Sequence, residues 1–85
     1  MNFTLEYDPH VLKFLSKLDK HIARRIIDKI EEVLPETPIP HDAKAIIGEH
    51  GVFRIRIGDF RALYRINFDA KKVIIVKIDN RERIY

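Results

Sequence analysis

The feature that most constrains this chain is a change of hydrophobic period across three closely spaced prolines, Pro35, Pro38 and Pro40. Upstream, apolar residues recur at helical spacing; downstream of a loop spanning about 35 to 51, they alternate, as in a strand. Proline interrupts a helix by removing an amide donor and clashing with the preceding turn. The two halves must therefore be built differently. Asp8-Pro9 carries a helix-start signal, with an aspartate able to cap free amides and a proline suited to the first helical position. Val11, Phe14, Leu15, Leu18 and Ile22 then share one face, and Ile22, Ile26, Ile27, Ile30, Val33 and Leu34 form a second stripe. A break near Asp19-Lys20-His21 separates them into an αα-hairpin. Ahead of it, Phe3 to Tyr7 alternates and predicts a short strand. Beyond the prolines, Val52 to Ile57 alternates, Gly58-Asp59 is a turn, and Phe60 to Phe68 alternates again. A second turn at Asp69-Ala70-Lys71 leads to Lys72–Asp79, which is apolar on both faces, as an interior strand requires. The expected architecture is a two-layer α+β domain spanning 1–85, with an N-terminal strand and a helical hairpin packed on a mostly antiparallel sheet.

A chain of 85 residues supports one small core. Its 46% apolar and 34% charged residues are a globular balance. The longest apolar run, Val73 to Val76, is far short of the ~20 residues that span a bilayer, so no membrane partner is expected. The N-terminal residues carry no leader pattern, and cysteine is absent, which excludes disulfides and thiolate chemistry in this sequence. A cytoplasmic location is expected. His10, His21, His41 and His50 lack metal-ligand spacing, so no metal or cofactor is expected. Lys20, Arg24 and Arg25 read as a solvated helix face. Charge is divided unevenly: residues 1–50 hold seven Lys/Arg and nine Asp/Glu, whereas 51–85 hold nine Lys/Arg and four Asp/Glu. A basic C-terminal part points to an anionic partner, commonly nucleic acid.

A two-residue loop at Gly58-Asp59 fixes the hairpin register. Ile57 then faces Phe60, Arg56 faces Arg61, Ile55 faces Ala62, Arg54 faces Leu63 and Phe53 faces Tyr64. Phe53, Ile55, Ile57, Phe60, Ala62, Tyr64 and Ile66 fall on the core face; Arg54, Arg56, Arg61, Leu63 and Arg65 fall on the other. Like charges directly across a strand pair are destabilising. Several guanidiniums gathered without a carboxylate among them are expected to hold an anion, because their planar forks match phosphate oxygens and keep their charge. The alternative is that they splay into water or pair with Asp59, Asp79 or Glu82. Arg81 and Tyr85 follow the last strand and are expected beside this face, where Tyr85 offers a phenol for hydrogen bonding or proton transfer.

Gly51 to Ile66, with its Phe-Arg-Ala-Leu-Tyr-Arg segment, resembles the core signature of the RelE/ParE superfamily of toxins. Asn80-Arg-Glu-Arg-Ile-Tyr85 resembles the ending of the RelE branch, and the opening strand and hairpin fit too. The resemblance implies a toxin that cuts mRNA on the ribosome without a metal, by attack of a 2′-hydroxyl on the adjacent phosphorus, and that is restrained by a RelB-like antitoxin. Carried over by position, the catalytic residues are Arg54, Arg56, Arg61, Arg81 and Tyr85, with Arg65, Arg83 and Lys77 as further RNA contacts. Well-known members have lysines where this chain has Arg54 and Arg56. Guanidinium does not readily release a proton, so charge stabilisation survives the exchange but proton transfer must come from elsewhere. Two other readings remain open on the residues: a ParE-like inhibitor that binds DNA gyrase, and a nucleic-acid-binding module without catalysis.

Overall fold

The computed structural model describes residues 2–80. The elements follow the order β1 (Thr4–Tyr7), α1 (Pro9–Ser16), α2 (Lys20–Val33), β2 (Lys44–Ala45), β3 (Val52–Ile57), β4 (Phe60–Asn67) and β5 (Lys72–Asn80). The strands form one five-stranded sheet in the order β1-β5-β4-β3-β2. Only the β1–β5 pairing is parallel; the other three are antiparallel. This is the two-layer α+β architecture expected from the change of period.

The helix boundaries have local causes. Asp8 caps α1 by accepting the His10 amide at 3.2 Å, with Pro9 at the first position, and Asp19 caps α2 through the His21 amide at 2.8 Å. The break at Asp19 is therefore an N-cap, and the helices are separate. Pro35 stands just past the Leu34 cap of α2, and its carbonyl accepts the Phe3 amide at 2.7 Å, tying the end of the hairpin to the start of β1. Ile22 differs from the sequence expectation. It is exposed rather than buried: it shares the face of Ile26, Ile30 and Leu34 but stands in the first turn of α2, at the end of the stripe.

The core lies between the hairpin and one face of the sheet. Val11 and Leu15 of α1 and Ile26, Ile30 and Leu34 meet Ile55 and Ile57 of β3, Ala62, Tyr64 and Ile66 of β4, and Val73, Ile75 and Ile78 of β5. Phe14 packs edge-on against Phe60 at 6.2 Å, a favourable ring geometry linking helix and sheet. The predicted hairpin register is observed pair for pair, from Phe53↔Tyr64 to Ile57↔Phe60. Gly58 makes this possible by adopting φ 60° in the tight loop, a conformation costly for residues with a Cβ.

Two features were not expected from sequence. The loop after α2 contains a strand: Lys44 pairs with Arg54 and Ala45 with Phe53, making β2 the sheet's edge. The β4–β5 pairing carries a bulge. Leu63 opposes Lys77 and Tyr64 opposes Ile75, leaving Val76 as the extra residue. A bulge reverses the alternation beyond it. Val73 and Ile75 point into the core, and so does Ile78, which places Lys77 and Asp79 on the arginine face.

Candidate functional site

The outer face of the sheet is organised in cross-strand rows. One row runs Lys44, Arg54, Leu63, Lys77; the next runs Arg56, Arg61, Asp79. Directly opposed side chains in such rows lie about 5 Å apart at Cβ. Arg56 and Arg61 are thus held as neighbours by the backbone, as the register predicts. Arg54 and Arg61 are half-buried, and Arg56 is exposed.

Two concavities open on this face. The first, about 300 Å³, is lined by Asp42, Lys44, Arg54, Ile55, Arg56 and Arg61. The second, about 180 Å³, is lined by Ile46, Arg54, Arg61, Leu63, Lys77 and Asp79. Arg54 and Arg61 stand between the two and serve both. Among the described residues the first cavity gathers four cations against a single carboxylate, and guanidinium forks match phosphate oxygens in geometry and charge. The second has an apolar floor at Leu63 and a wall at Ile46, next to the Lys77–Asp79 ion pair at 3.5 Å.

The expectation that no carboxylate enters the cluster is corrected in two places. Asp79 sits directly across from Arg61, brought there by the bulge, and Asp42 arrives on the loop before β2. Neither Arg54 nor Arg56 is held in an ion pair among the described residues. Arg65 is on the predicted face but lines neither cavity. It stands opposite Val52 and Ile74, four residues along β4 from Arg61, or roughly 13 Å away at strand rise. Lys77 joins the second cavity. Arg81, Arg83 and Tyr85 lie outside the described residues.

The loop that brings Asp42 and Lys44 is strapped down from below. The Tyr64 hydroxyl donates to the Pro38 carbonyl at 2.7 Å, and Pro40, whose carbonyl accepts the Ala43 amide at 3.0 Å, is buried. Burial raises the Tyr64 phenol well above its ordinary pKa, and the Asp42 carboxylate pushes in the same direction. Tyr64 is therefore a structural anchor and no candidate base. Lys44 and Asp42 are the site residues that sequence reading missed. A two-residue strand has no detectable alternation, and the one available signal was that residues 35–51 form a long loop feeding a basic strand.

A helical hairpin over one face of a five-stranded sheet, with an arginine-lined cavity on the other, defines a small α+β domain with a cationic concavity. The comparisons give that class its family. The ParE toxin family, described as the ParE toxin of the type II toxin-antitoxin system parDE, matches residues 5–85. A curated relative from Methanocaldococcus jannaschii, bearing the toxin name RelE1, is 38% identical over 88 residues, covering 100% of this chain and 97% of that one. Among solved structures, the archaeal RelE–RelB complex from Pyrococcus horikoshii OT3 contains a chain superposing with a TM-score of 0.83 at 28% identity, covering 98% of this chain and 99% of that one. The toxin–antitoxin complex RelBE2 from Mycobacterium tuberculosis gives 0.84 at 27% identity, covering 95% and 100%. The chain belongs to the RelE/ParE family of toxins from type II toxin–antitoxin systems.

Proposed function

We propose that this toxin is a ribosome-dependent mRNA endoribonuclease acting in the cytoplasm, held in check by a RelB-like antitoxin. The observation that carries the reading is the convergence of Arg54, Arg56 and Arg61 on one cavity, with Arg54 and Arg56 in no ion pair among the described residues. A fold that only needed a polar sheet face would not place Arg56 opposite Arg61, since that pairing costs stability. A bound phosphodiester reverses the sign of the interaction.

In the proposed reaction the 2′-oxygen attacks the adjacent phosphorus and the 5′-oxygen leaves, giving a 2′,3′-cyclic phosphate and a 5′-hydroxyl. Negative charge grows on the non-bridging oxygens, and the three guanidiniums supply fixed donors where it develops. Arg81 would add a fourth donor, and Tyr85 a phenol hydrogen-bonded to the attacking 2′-hydroxyl, whose proton goes to water. Similarity to RelE-named chains along the full length supports the nuclease over gyrase binding, although the matching family description names ParE.

Translating extracts supplied with a reporter mRNA test the proposal. Arg54→Ala, Arg56→Ala and Arg61→Ala should each cut cleavage by on the order of 10²-fold or more, and Arg56→Ala should unfold at an unchanged or higher temperature because a like-charge pair is removed. Gyrase supercoiling should be unaffected by the wild-type chain. Gyrase inhibition without mRNA cleavage would place the chain with the gyrase binders instead.

A further inference from the structure

Among the described residues, the arginines of the cavity bring abundant charge but no readily transferable proton. Expulsion of a 5′-alkoxide needs a proton, and guanidinium is a poor donor of one. Among the described residues, one other cation lines the first cavity: Lys44, on β2, directly across from Arg54. Its ammonium carries three donors on a flexible stem, and lysine gives up and regains protons in a way arginine does not. Lys77 is less well placed, since it opens on the second cavity and is paired with Asp79 at 3.5 Å. Lys44 is in none of the ion pairs among the described residues.

Resting on the ribonuclease reading above, we infer that Lys44 is a catalytic residue, the general acid that protonates the leaving 5′-oxygen. As the 2′-oxygen–phosphorus bond forms, the 2′-hydroxyl proton passes to water. As the phosphorus–5′-oxygen bond breaks, Nζ of Lys44 delivers a proton to that oxygen, and the neutral amine is then reprotonated from water. No water is consumed, and the products are the cyclic phosphate and a 5′-hydroxyl. The short strand β2 thereby supplies from the neighbouring edge what arginines at positions 54 and 56 cannot. The structural alternative is that Lys44 is a charge placed on an edge strand to deter pairing with other chains; that role would leave the chemistry untouched.

The test compares two mRNAs on programmed ribosomes, one with an ordinary scissile linkage and one with sulfur replacing the bridging 5′-oxygen. A thiolate leaves without needing a proton, because a thiol is far more acidic than an alcohol. Lys44→Arg keeps the positive charge and removes the transferable proton. It should cleave the oxygen linkage about 10²-fold more slowly than wild type and the sulfur linkage at nearly the wild-type rate; Lys44→Ala should be rescued by sulfur in the same way. Equal losses on both linkages in Lys44→Arg, or no loss on the oxygen linkage, would overturn the assignment. Wild-type protein that cleaves neither mRNA would instead remove the ribonuclease reading, and this role with it. Lys44 is exposed, so matched unfolding midpoints provide the folding control.

Discussion

Tyr7 and Tyr64 both face the helices from the sheet, but their hydroxyls have different surroundings. Tyr64 donates to Pro38, whereas the buried Tyr7 hydroxyl has no hydrogen-bond partner among the described residues. Removing one partner of a buried bond leaves the other unsatisfied, at a cost of about 1–3 kcal/mol, while deleting an unpartnered hydroxyl removes a desolvation cost. Tyr64→Phe should therefore destabilise the chain by roughly 1–3 kcal/mol and, by loosening the loop that carries Asp42 and Lys44, reduce cleavage as well. Tyr7→Phe should leave stability unchanged or raise it; urea unfolding of both variants checks the contrast. The Tyr7 phenol also sets an alkaline limit. Burial, reinforced by the Glu31 carboxylate, pushes its pKa from 10.0 up to about 12 in the fold. A raised pKa means the folded state favours the protonated phenol, so this contribution is complete below pH 10 and is lost as pH rises through about 12. Alkaline titration of stability should show a shallower decline over that window in Tyr7→Phe than in wild type.

At the scale of elements, β5 shows how one extra residue decides which side chains meet. Val76 is unmatched in the β4 ladder, and the parity of Lys77, Ile78 and Asp79 depends on it. Were β5 to keep Val76 but pair without the bulge, strict alternation would turn Lys77 toward the core and Ile78 toward solvent. Exposing the isoleucine alone costs about 1.5–3 kcal/mol, and burying an unpaired ammonium adds to that. The bulge avoids that cost, and deleting Val76, the unmatched residue, removes the bulge without changing which way Ile75, Lys77 and Ile78 face. The deletion variant should therefore still fold, with a modest loss in unfolding midpoint, as should Val76→Ala. A deletion variant that fails to fold in thermal unfolding would mean that Val76 is not the residue that sets the register. Gly51 is a second control point: its φ is 72°, its carbonyl accepts the Ile66 amide at 2.9 Å, and an added Cβ would lie 3.3 Å from the Ile66 carbonyl oxygen. It admits the chain from the β2 loop into β3 at a place where a side chain would be both strained and crowded.

At the scale of the molecule, the helices cover one face of the sheet and, among the described residues, leave the cationic face open. A toxin with that surface needs a restraint in its own cell, and the charge of the cavity favours an acidic partner. An amphipathic helix laid on the hairpin or a strand added to a sheet edge is the usual way for a partly disordered partner to grip such a domain. Binding to the folded state adds about 4 kcal/mol at a thousand times Kd, and for a domain of this size that corresponds to a Tm rise of roughly 15–30 °C. Co-expression with the small acidic product of a neighbouring reading frame should rescue growth and yield a complex with a Tm at least that much higher, measured by scanning calorimetry. A chain harmless when expressed alone, with no such partner in pull-downs, would contradict the toxin–antitoxin reading.

The sequence by itself determined whatever rests on neighbours along the chain. Asp8-Pro9 and Asp19 start helices because their carboxylates reach amides two residues on, and Gly58-Asp59 fixes the hairpin because a two-residue loop permits one register; Arg54, Arg56 and Arg61 on one face follow from that. Tertiary structure decided what rests on partners remote in sequence. Lys44 and Ala45 form a strand only because β3 offers an edge, so their pattern held no signal and the cavity's lysine and aspartate went unread. The bulge at Val76 is equally silent, since Val73 to Val76 is apolar throughout and gives no alternation to break. Which of its residues face inward is settled by the core requiring Ile78, and that choice brings Lys77 and Asp79 beside the arginines. Local hydrogen bonds are encoded within a few residues, whereas pairing across a sheet is a competition among surfaces that exist only once the chain has folded.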